Sequence, residues 1–414
     1  MKYSQIITSL LDNDFYKFTM GQLFLHQMTD MNVEWTYKNR DAAERKFTKE
    51  MVQEIDEQIK AYCDLRFKKD ELEYLASIPW IKKDYIDFLS LYKPLYRHFS
   101  VKYDEANKQL DLKICGPQFI NTYYETPVMS IISEVWFRMS HTEAEYEKLE
   151  QTLIKNTKFK INALNCGKYR IGAFSEFGTR RRFSKQKHGE IIELFAKTLK
   201  TPYSTFVGTS NVYYAMKFGI KAIGTMAHEA IMTIGQGYPE RNPAYSNKFT
   251  MEAWHKEYGT ENGTYLTDAI TTNCFLKDFT KAEAKLFDGV RHDSGDPFEW
   301  GNKMIDVYAK YNINPITKTL LFSDSLDFER ADALYSFFKD QIKVAFGIGT
   351  YIANDCGEKA MNQVLKVTEA NGIPVCKLSD SENDKVTGLP GKFMGKSKEY
   401  LEYLKRTINW RMNH

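Results

Sequence analysis

Five short runs hold most of the residues that could do chemistry. RHDSGDP (291–297) sets an arginine, two aspartates and a glycine in a turn that feeds a helix through Asp296-Pro297. Such a turn offers backbone N–H groups and a helix N-terminus to an anion. Arg291 can grip phosphate through two parallel hydrogen bonds, and Asp293 can hold ribose hydroxyls or, through water, Mg2+. A helix-capping turn with a surface arginine accounts for the same run equally well. In GIGT (347–350), Gly347 and Gly349 permit close backbone approach to a phosphate and Thr350 adds a hydroxyl, although glycine turns at strand ends are commonly structural. His228 closes the stretch KAIGTMAH and precedes Glu229. A histidine beside a carboxylate can be a nucleophile or general base, or an ordinary buried histidine.

EFGTRRRFS joins Phe177 and Arg180 in a cluster of three arginines. An aromatic face next to guanidinium groups suits a flat heteroaromatic acid, and a basic surface loop behind a buried phenylalanine fits as well. LLDNDFYKFTMG (10–21) contributes Asp14 and Tyr16, which can also be cap and core residues. The chain has no G-x-x-x-x-G-K-[ST] loop, no G-x-G-x-x-G fingerprint and no H-E-x-x-H site. If it uses ATP, it does so without a P-loop. LLFSDS also lacks the two adjacent acids of the phosphoribosyl-binding strand in flavodoxin-like phosphoribosyltransferases.

The elements that must position these residues have a rhythm of their own. From about residue 168, short apolar runs end in a polar or glycine-bearing motif and lead into a helix-like segment. The runs are 170–174, 203–207, 221–226, 263–267, 287–290, 319–322 and 342–346. Asp268 follows the fourth and Ser323 the sixth. Parallel strands need crossover connections, so seven such units predict a parallel α/β core. Residues just past each strand would then line one face of a barrel. Ser210 is the expected cap of a helix running to Gly219, and Asp296-Pro297 opens another. Earlier in the chain, 109–114 alternates as a strand and 142–160 reads as a long exposed helix. The expected division is an N-terminal α+β domain over 1–165, joined by 371–414, and a barrel-like catalytic domain over 166–370.

A chain of 414 residues exceeds one ordinary hydrophobic core. With 43% hydrophobic and 27% charged residues and a net charge of +3, nothing points to nucleic acid or an anionic membrane as partner. The six cysteines lack metal-ligand spacing, no stretch approaches the roughly 20 apolar residues of a membrane span, and no signal peptide is read at the N-terminus. A cytoplasmic protein with free thiols is expected.

Taken together, LLDNDFYKFTMG, EFGTRRRFS, GTSN, GTMAHE, RHDSGDP, FSDSLD, FGIGT and KLSD occur here in the order and spacing of nicotinate phosphoribosyltransferases, from about residue 10 to 390. The chain resembles the bacterial and fungal branch of that family. The resemblance implies an irregular α/β barrel of the type II phosphoribosyltransferase kind with an N-terminal α+β domain. It implies transfer of phosphoribosyl from phosphoribosyl pyrophosphate to nicotinate, with Mg2+ and with ATP phosphorylating His228 beside Glu229. Tyr16, Phe177, Arg180, Ser210 and Thr225 would serve nicotinate. Asp14, Asp268, Arg291, Asp293, Ser323, Gly347, Gly349 and Thr350 would serve phosphoribosyl pyrophosphate, with Asp293 also toward metal. A homodimer is implied, in which Asp14 and Tyr16 complete the partner's site. Related nicotinamide enzymes carry aspartate where Ser210 stands, and a carboxylate there would repel nicotinate. That leaves a nicotinamide phosphoribosyltransferase, or a catalytically silent nucleotide-binding barrel, as alternatives. Past KLSD the match loosens, and Lys385 or Lys392 is the candidate there to reach phosphate.

Overall fold

The computed structural model describes residues 1–380, 395 and 397–414. Lys385 and Lys392 therefore lie outside the described residues. After the helix Phe15–Gln27 the chain lays down β1 (Asn32–Asn39), β2 (Phe99–Asp104) and β3 (Gln109–Pro117). Next come β4 (Gly172–Glu176), β5 (Ser204–Thr209), β6 (Lys221–Ala222), β7 (Thr264–Leu266), β8 (Gly289–His292), β9 (Thr319–Phe322) and β10 (Lys343–Ile348). β11 (Gln363–Ala370) and β12 (Ile373–Pro374) complete the strands.

Two sheets result. One is antiparallel, ordered β12-β11-β1-β3-β2, and buries one face: Val33, Trp35 and Tyr37 alternate inward from β1, and Leu110, Leu112 and Ile114 from β3. The other is parallel, ordered β6-β5-β4-β10-β9-β8-β7, and every one of the seven anticipated apolar runs becomes one of its strands. β6 is curtailed to two residues. β6 and β7 form the two edges of this sheet. Just past β6, the Thr225 hydroxyl reaches β7 by donating to the Thr264 carbonyl at 2.7 Å. The sheet thus curls into an irregular α/β barrel with a side-chain seam, beside an α+β domain.

Helix starts follow local chemistry with one change from expectation. Asp296 caps the helix Pro297–Lys310 by accepting from the Phe298 and Glu299 N–H groups at 2.9 Å. The helix Val212–Phe218 is capped by Asn211, not Ser210; its Oδ1 accepts from Tyr214 N at 3.2 Å. Ser210 is drawn away because its Oγ donates to Asp14 at 2.7 Å. Gly219, at φ 65°, ends that helix in the left-handed conformation. The expected helix over 142–160 is present as Glu143–Asn165, opened by a Thr142–Glu145 capping box.

Strand pairing returns the chain to the antiparallel sheet at Gln363, before the expected boundary at 370. The last helix, Lys398–Asn413, instead packs Leu401, Leu404 and Ile408 against Ala244, Ile270 and Cys274, and Arg411 pairs with Asp278. We propose a division that follows these contacts: 1–165 with 363–374 as the α+β domain, and 166–362 with the terminal helix as the barrel domain. No helix among the described residues is long and apolar enough to cross a membrane.

Candidate active site

The C-terminal ends of the parallel strands gather the predicted residues on one face. Phe177 follows β4, Ser210 follows β5, Asp293 follows β8, Ser323 follows β9, and Gly349 follows β10. Asp268 lies just past β7, and His228 starts the helix His228–Gln236. Short turns at strand ends hold side chains firmly enough for chemistry, because each is anchored by the sheet below it.

His228 is the centre of a charged cluster. Its Nε2 lies 2.8 Å from Asp268 Oδ1 and 3.6 Å from Asp293 Oδ2. Asp268 Oδ2 accepts from Ser294 Oγ and lies 2.8 Å from Lys377 Nζ, which is also 3.6 Å from Asp293. Burial, and then the Lys377 ammonium, depress the His228 pKa to about 4, against the pull of Asp268. Lys377 and His228 hold Asp268 well below the usual carboxylate range in spite of its burial. Asp293 is lowered too, by Lys377 and Arg291 acting against burial. Arg291 donates from Nε to Ser323 Oγ at 3.0 Å and from Nη1 to the Met226 carbonyl at 3.2 Å. Ser323 in turn donates to the His292 carbonyl at 2.9 Å and lies 3.1 Å from Asp293 Oδ1, so it orients both arginine and aspartate.

A second group forms around Arg180. Its Nη1 donates to Glu125 at 3.1 Å, and its Nε is 3.8 Å from Asp14. Asp14 is almost fully buried, accepting from Ser210 Oγ at 2.7 Å and Thr126 Oγ1 at 3.2 Å. It therefore stands with the Arg180 group and not with the phosphate turns. Tyr16 is buried close by, and its hydroxyl pKa is raised chiefly by desolvation, with Arg180 opposing. The Phe177 ring stands on Gly347, where a Cβ would come within 2.3 Å of the ring. Gly347 thus makes room for an aromatic platform. At Gly349 a Cβ would meet the Phe177 carbonyl at 3.4 Å and the Gly178 Cα at 4.0 Å, ordinary contacts that leave that glycine open to a ligand, with Thr350 beginning the short helix Thr350–Ala353.

One expectation changes. Glu229 is turned away from the His228 cluster. It binds Lys17 Nζ at 2.7 Å, Gln118 at 3.2 Å and Thr122 at 3.2 Å, and Lys17 is shared with Glu125 at 2.7 Å. Adjacent positions at a helix start point to different sides, which sends Glu229 into this buried network. The N-terminal motif expected to reach a partner's site also makes contacts within its own chain. Phe15 N donates to the Ser210 carbonyl at 2.7 Å, Val212 N to Asn13 at 3.0 Å and Tyr213 N to Leu11 at 2.8 Å, all within one chain. A short loop-to-loop ladder therefore seats the N-terminal motif on its own barrel.

Some charged residues here were not singled out from the sequence. Lys377 stood in the KLSD motif without an assigned role. Arg181 is pushed down to about 10 by burial and by Arg180 and Arg40, while Asp293 and Asp324 act in the opposite direction. Arg40, at the end of β1, is lowered by burial. Three guanidiniums drawn together from two domains make a strong anion site. The RRR run was a usable signal for Arg181. Nothing local marked Arg40, which arrives from far along the chain. Lys366, on β11, lies 3.6 Å from Glu125, and burial lowers its pKa to about 8 against the pull of that carboxylate.

The ligand atoms of His228, Asp268 and Asp293 lie within 4.8 Å of one another. Both Asp268 oxygens are already engaged, whereas the Asp293 side chain is 22% exposed. A hard cation that keeps its waters and shares substrate phosphates fits Asp293.

The chain is similar to known proteins over nearly its whole length. The family model of the nicotinate phosphoribosyltransferase (NAPRTase) family matches residues 173–408, and that of the NAPRTase N-terminal domain matches residues 11–133. The chain is 39% identical over 408 residues to the nicotinate phosphoribosyltransferase of Acidovorax sp. (strain JS42), covering 97% of this chain and 98% of that one. It is similar to the crystal structure of nicotinate phosphoribosyltransferase from Vibrio cholerae, with a TM-score of 0.88 and 31% identity over 98% of this chain and 95% of that one. The Porphyromonas gingivalis structure of the same name gives a TM-score of 0.86 at 31% identity, covering 98% and 100%. Matched by family models in both its N-terminal part and its barrel, the chain belongs to the nicotinate phosphoribosyltransferase family.

Proposed function

We propose that the chain joins nicotinate to the ribose 5-phosphate unit of phosphoribosyl pyrophosphate, giving nicotinate mononucleotide and pyrophosphate in NAD biosynthesis, and that ATP drives this through phosphorylation of His228. The observation that carries the reading is the meeting of His228, Asp268, Asp293 and Arg291 at the strand ends. In the transfer, the pyridine nitrogen displaces pyrophosphate at the anomeric carbon, and positive charge grows on the ribose. The protein's share is then positioning and electrostatics. Phe177 and Tyr16 flank the ring, Arg180 takes its carboxylate, and Ser210 and Thr225 border it. Arg291, Arg181 and Arg40 face the phosphates, Gly349 and Thr350 shape the turn for the 5-phosphate, and Asp268 faces the ribose. Asp293 would hold Mg2+ through water, and the bound ion would neutralise charge on the departing pyrophosphate.

His228 is suited to accept a phosphoryl group because it is neutral near pH 7. An ionised Asp268 can only accept a hydrogen bond, so Nε2 carries the proton and Nδ1 keeps the lone pair. Attack by Nδ1 on the terminal phosphorus of ATP releases ADP. The phosphoryl group adds roughly two negative charges, with Lys377 the nearby cation to hold them, and its hydrolysis resets the site. Each chain carries a whole site on this reading, so the implied homodimer joins two sites without building either. A cytoplasmic location accords with all six cysteines being unpaired.

Competition between nicotinate and nicotinamide for phosphoribosyl pyrophosphate tests the assignment. Nicotinate mononucleotide is the expected dominant product. Preferential use of the amide would replace the assignment with the nicotinamide alternative, and turnover of neither base would leave a silent barrel.

A further inference from the structure

α/β barrels ordinarily fill their lumen with layers of branched side chains. Here the inward positions of the central strands are small: Ala173 and Ser175 on β4 and Ala345 on β10. They leave a cavity of about 610 Å3 within the sheet. Interiors pack densely and a dry void forfeits contacts, while this volume lies in the range of small-molecule sites, roughly 300–1,000 Å3.

The cavity lies below the cluster at the strand ends, since Ser175, Ile223, Leu321 and Ala345 each precede a residue of that face by two positions. Gly172, Thr264, Thr319 and Lys343 begin β4, β7, β9 and β10, and all of them line it, so it reaches the N-terminal rim of the barrel. Gly172, at φ 62°, lets the Tyr335 ring lie against that rim, since a Cβ would sit 2.5 Å from the ring. The body of the lining is apolar, with Val207, Ile223 and Leu321. Its charged members are two exposed cations, Lys339 and Lys343, and among the described residues no carboxylate lines it.

We propose that the barrel lumen is a second ligand site, taking a small carboxylic acid with its apolar body among Ala173, Val207, Leu321 and Ala345 and its carboxylate at Lys339 and Lys343. The charge pattern selects an anion with one apolar end over a neutral ligand or a polyanion. A second molecule of nicotinate and a longer aliphatic acid share this chemistry.

The test uses the full chain with its catalytic site filled by nicotinate mononucleotide, titrated calorimetrically with octanoate and, as a neutral control, octanamide. Octanoate is expected to bind saturably, one per chain, and more tightly than octanamide. The exposed pair Lys339→Gln/Lys343→Gln should weaken it about fivefold, the scale of a surface charge pair. Ala345→Leu, which narrows the lumen, should weaken it at least as much. Nicotinate titrated alone provides the second arm. Two equivalents per chain, falling to one in Ala345→Leu, would assign the cavity to the substrate acid. A single equivalent together with octanoate binding would assign it to a longer acid. Absence of both a second nicotinate equivalent and saturable octanoate binding would overturn the proposal. So would binding undiminished by the lysine pair, whose exposed positions leave folding intact.

Discussion

The pKa of His228, depressed to about 4 by burial and Lys377, gives the active site a pH signature. The unfolded chain holds a histidine of ordinary value 6.5. Between the two values the unfolded state binds the proton and the folded state does not, so this group costs stability progressively as pH falls from about 6.5 to about 4. Phosphorylation of His228, measured as initial rate at saturating ATP, should stay level through the ordinary histidine range and fall only near pH 4. A fall centred on 6.5 would place His228 in water. At the alkaline end Lys366, lowered to about 8, is expected to lose its proton, and the charge offered to an anionic substrate goes with it. KM should therefore rise as pH passes about 8, and Lys366→Gln should flatten that rise. His228, Arg180 and Asp293 were legible in the sequence because each sits in a short motif of reactive residue types. Lys366 and Arg40 were not, since both come from the antiparallel sheet and reach the site only through folding.

Elements fix where those side chains stand. The Phe177 platform depends on Gly347 having no side chain. Gly347→Ala should displace the ring and raise KM for nicotinate about tenfold, a loss near 1.4 kcal/mol of the kind expected for a disturbed aromatic contact. Gly349→Ala meets no such ring, so it should raise KM for phosphoribosyl pyrophosphate instead. An exchange of these two phenotypes would show that the glycines had been assigned to the wrong ligands. The fully buried pair Asp12–Arg182, with contacts at 2.6 and 2.9 Å, ties the N-terminal motif to the turn after β4. Arg182→Met leaves the buried Asp12 carboxylate only Asn211 at 2.8 Å and Lys185 at 3.6 Å, and should cost about 3 kcal/mol in urea unfolding. The seven apolar runs made the parallel sheet readable in advance, and Asp296-Pro297 announced its helix. The cap at Asn211 was hidden because Ser210 is an equally good cap by residue type, and only the arrival of Asp14 diverts it.

At the scale of the whole molecule, the antiparallel sheet and the barrel meet around the Arg180 group, and on the proposed reading a single chain completes the site. Leu11, Asn13 and Phe15 bond to the chain's own 210–213 segment, and this could not be read from the motif, since the same residues fit a partner's barrel equally well. Mixing Tyr16→Ala chains with His228→Asn chains should restore no activity. A site shared between subunits would restore about a quarter of it in a freely exchanging dimer. The central claim, that ATP is coupled to transfer through His228, is tested most directly by intact mass after incubation with Mg·ATP, for wild type and His228→Asn. The account predicts one acid-labile phosphoryl adduct on the wild type, none on the variant, and nicotinate mononucleotide formed faster by the wild type when ATP is present. An equal adduct on the variant, or ATP-stimulated turnover that survives His228→Asn, would contradict it.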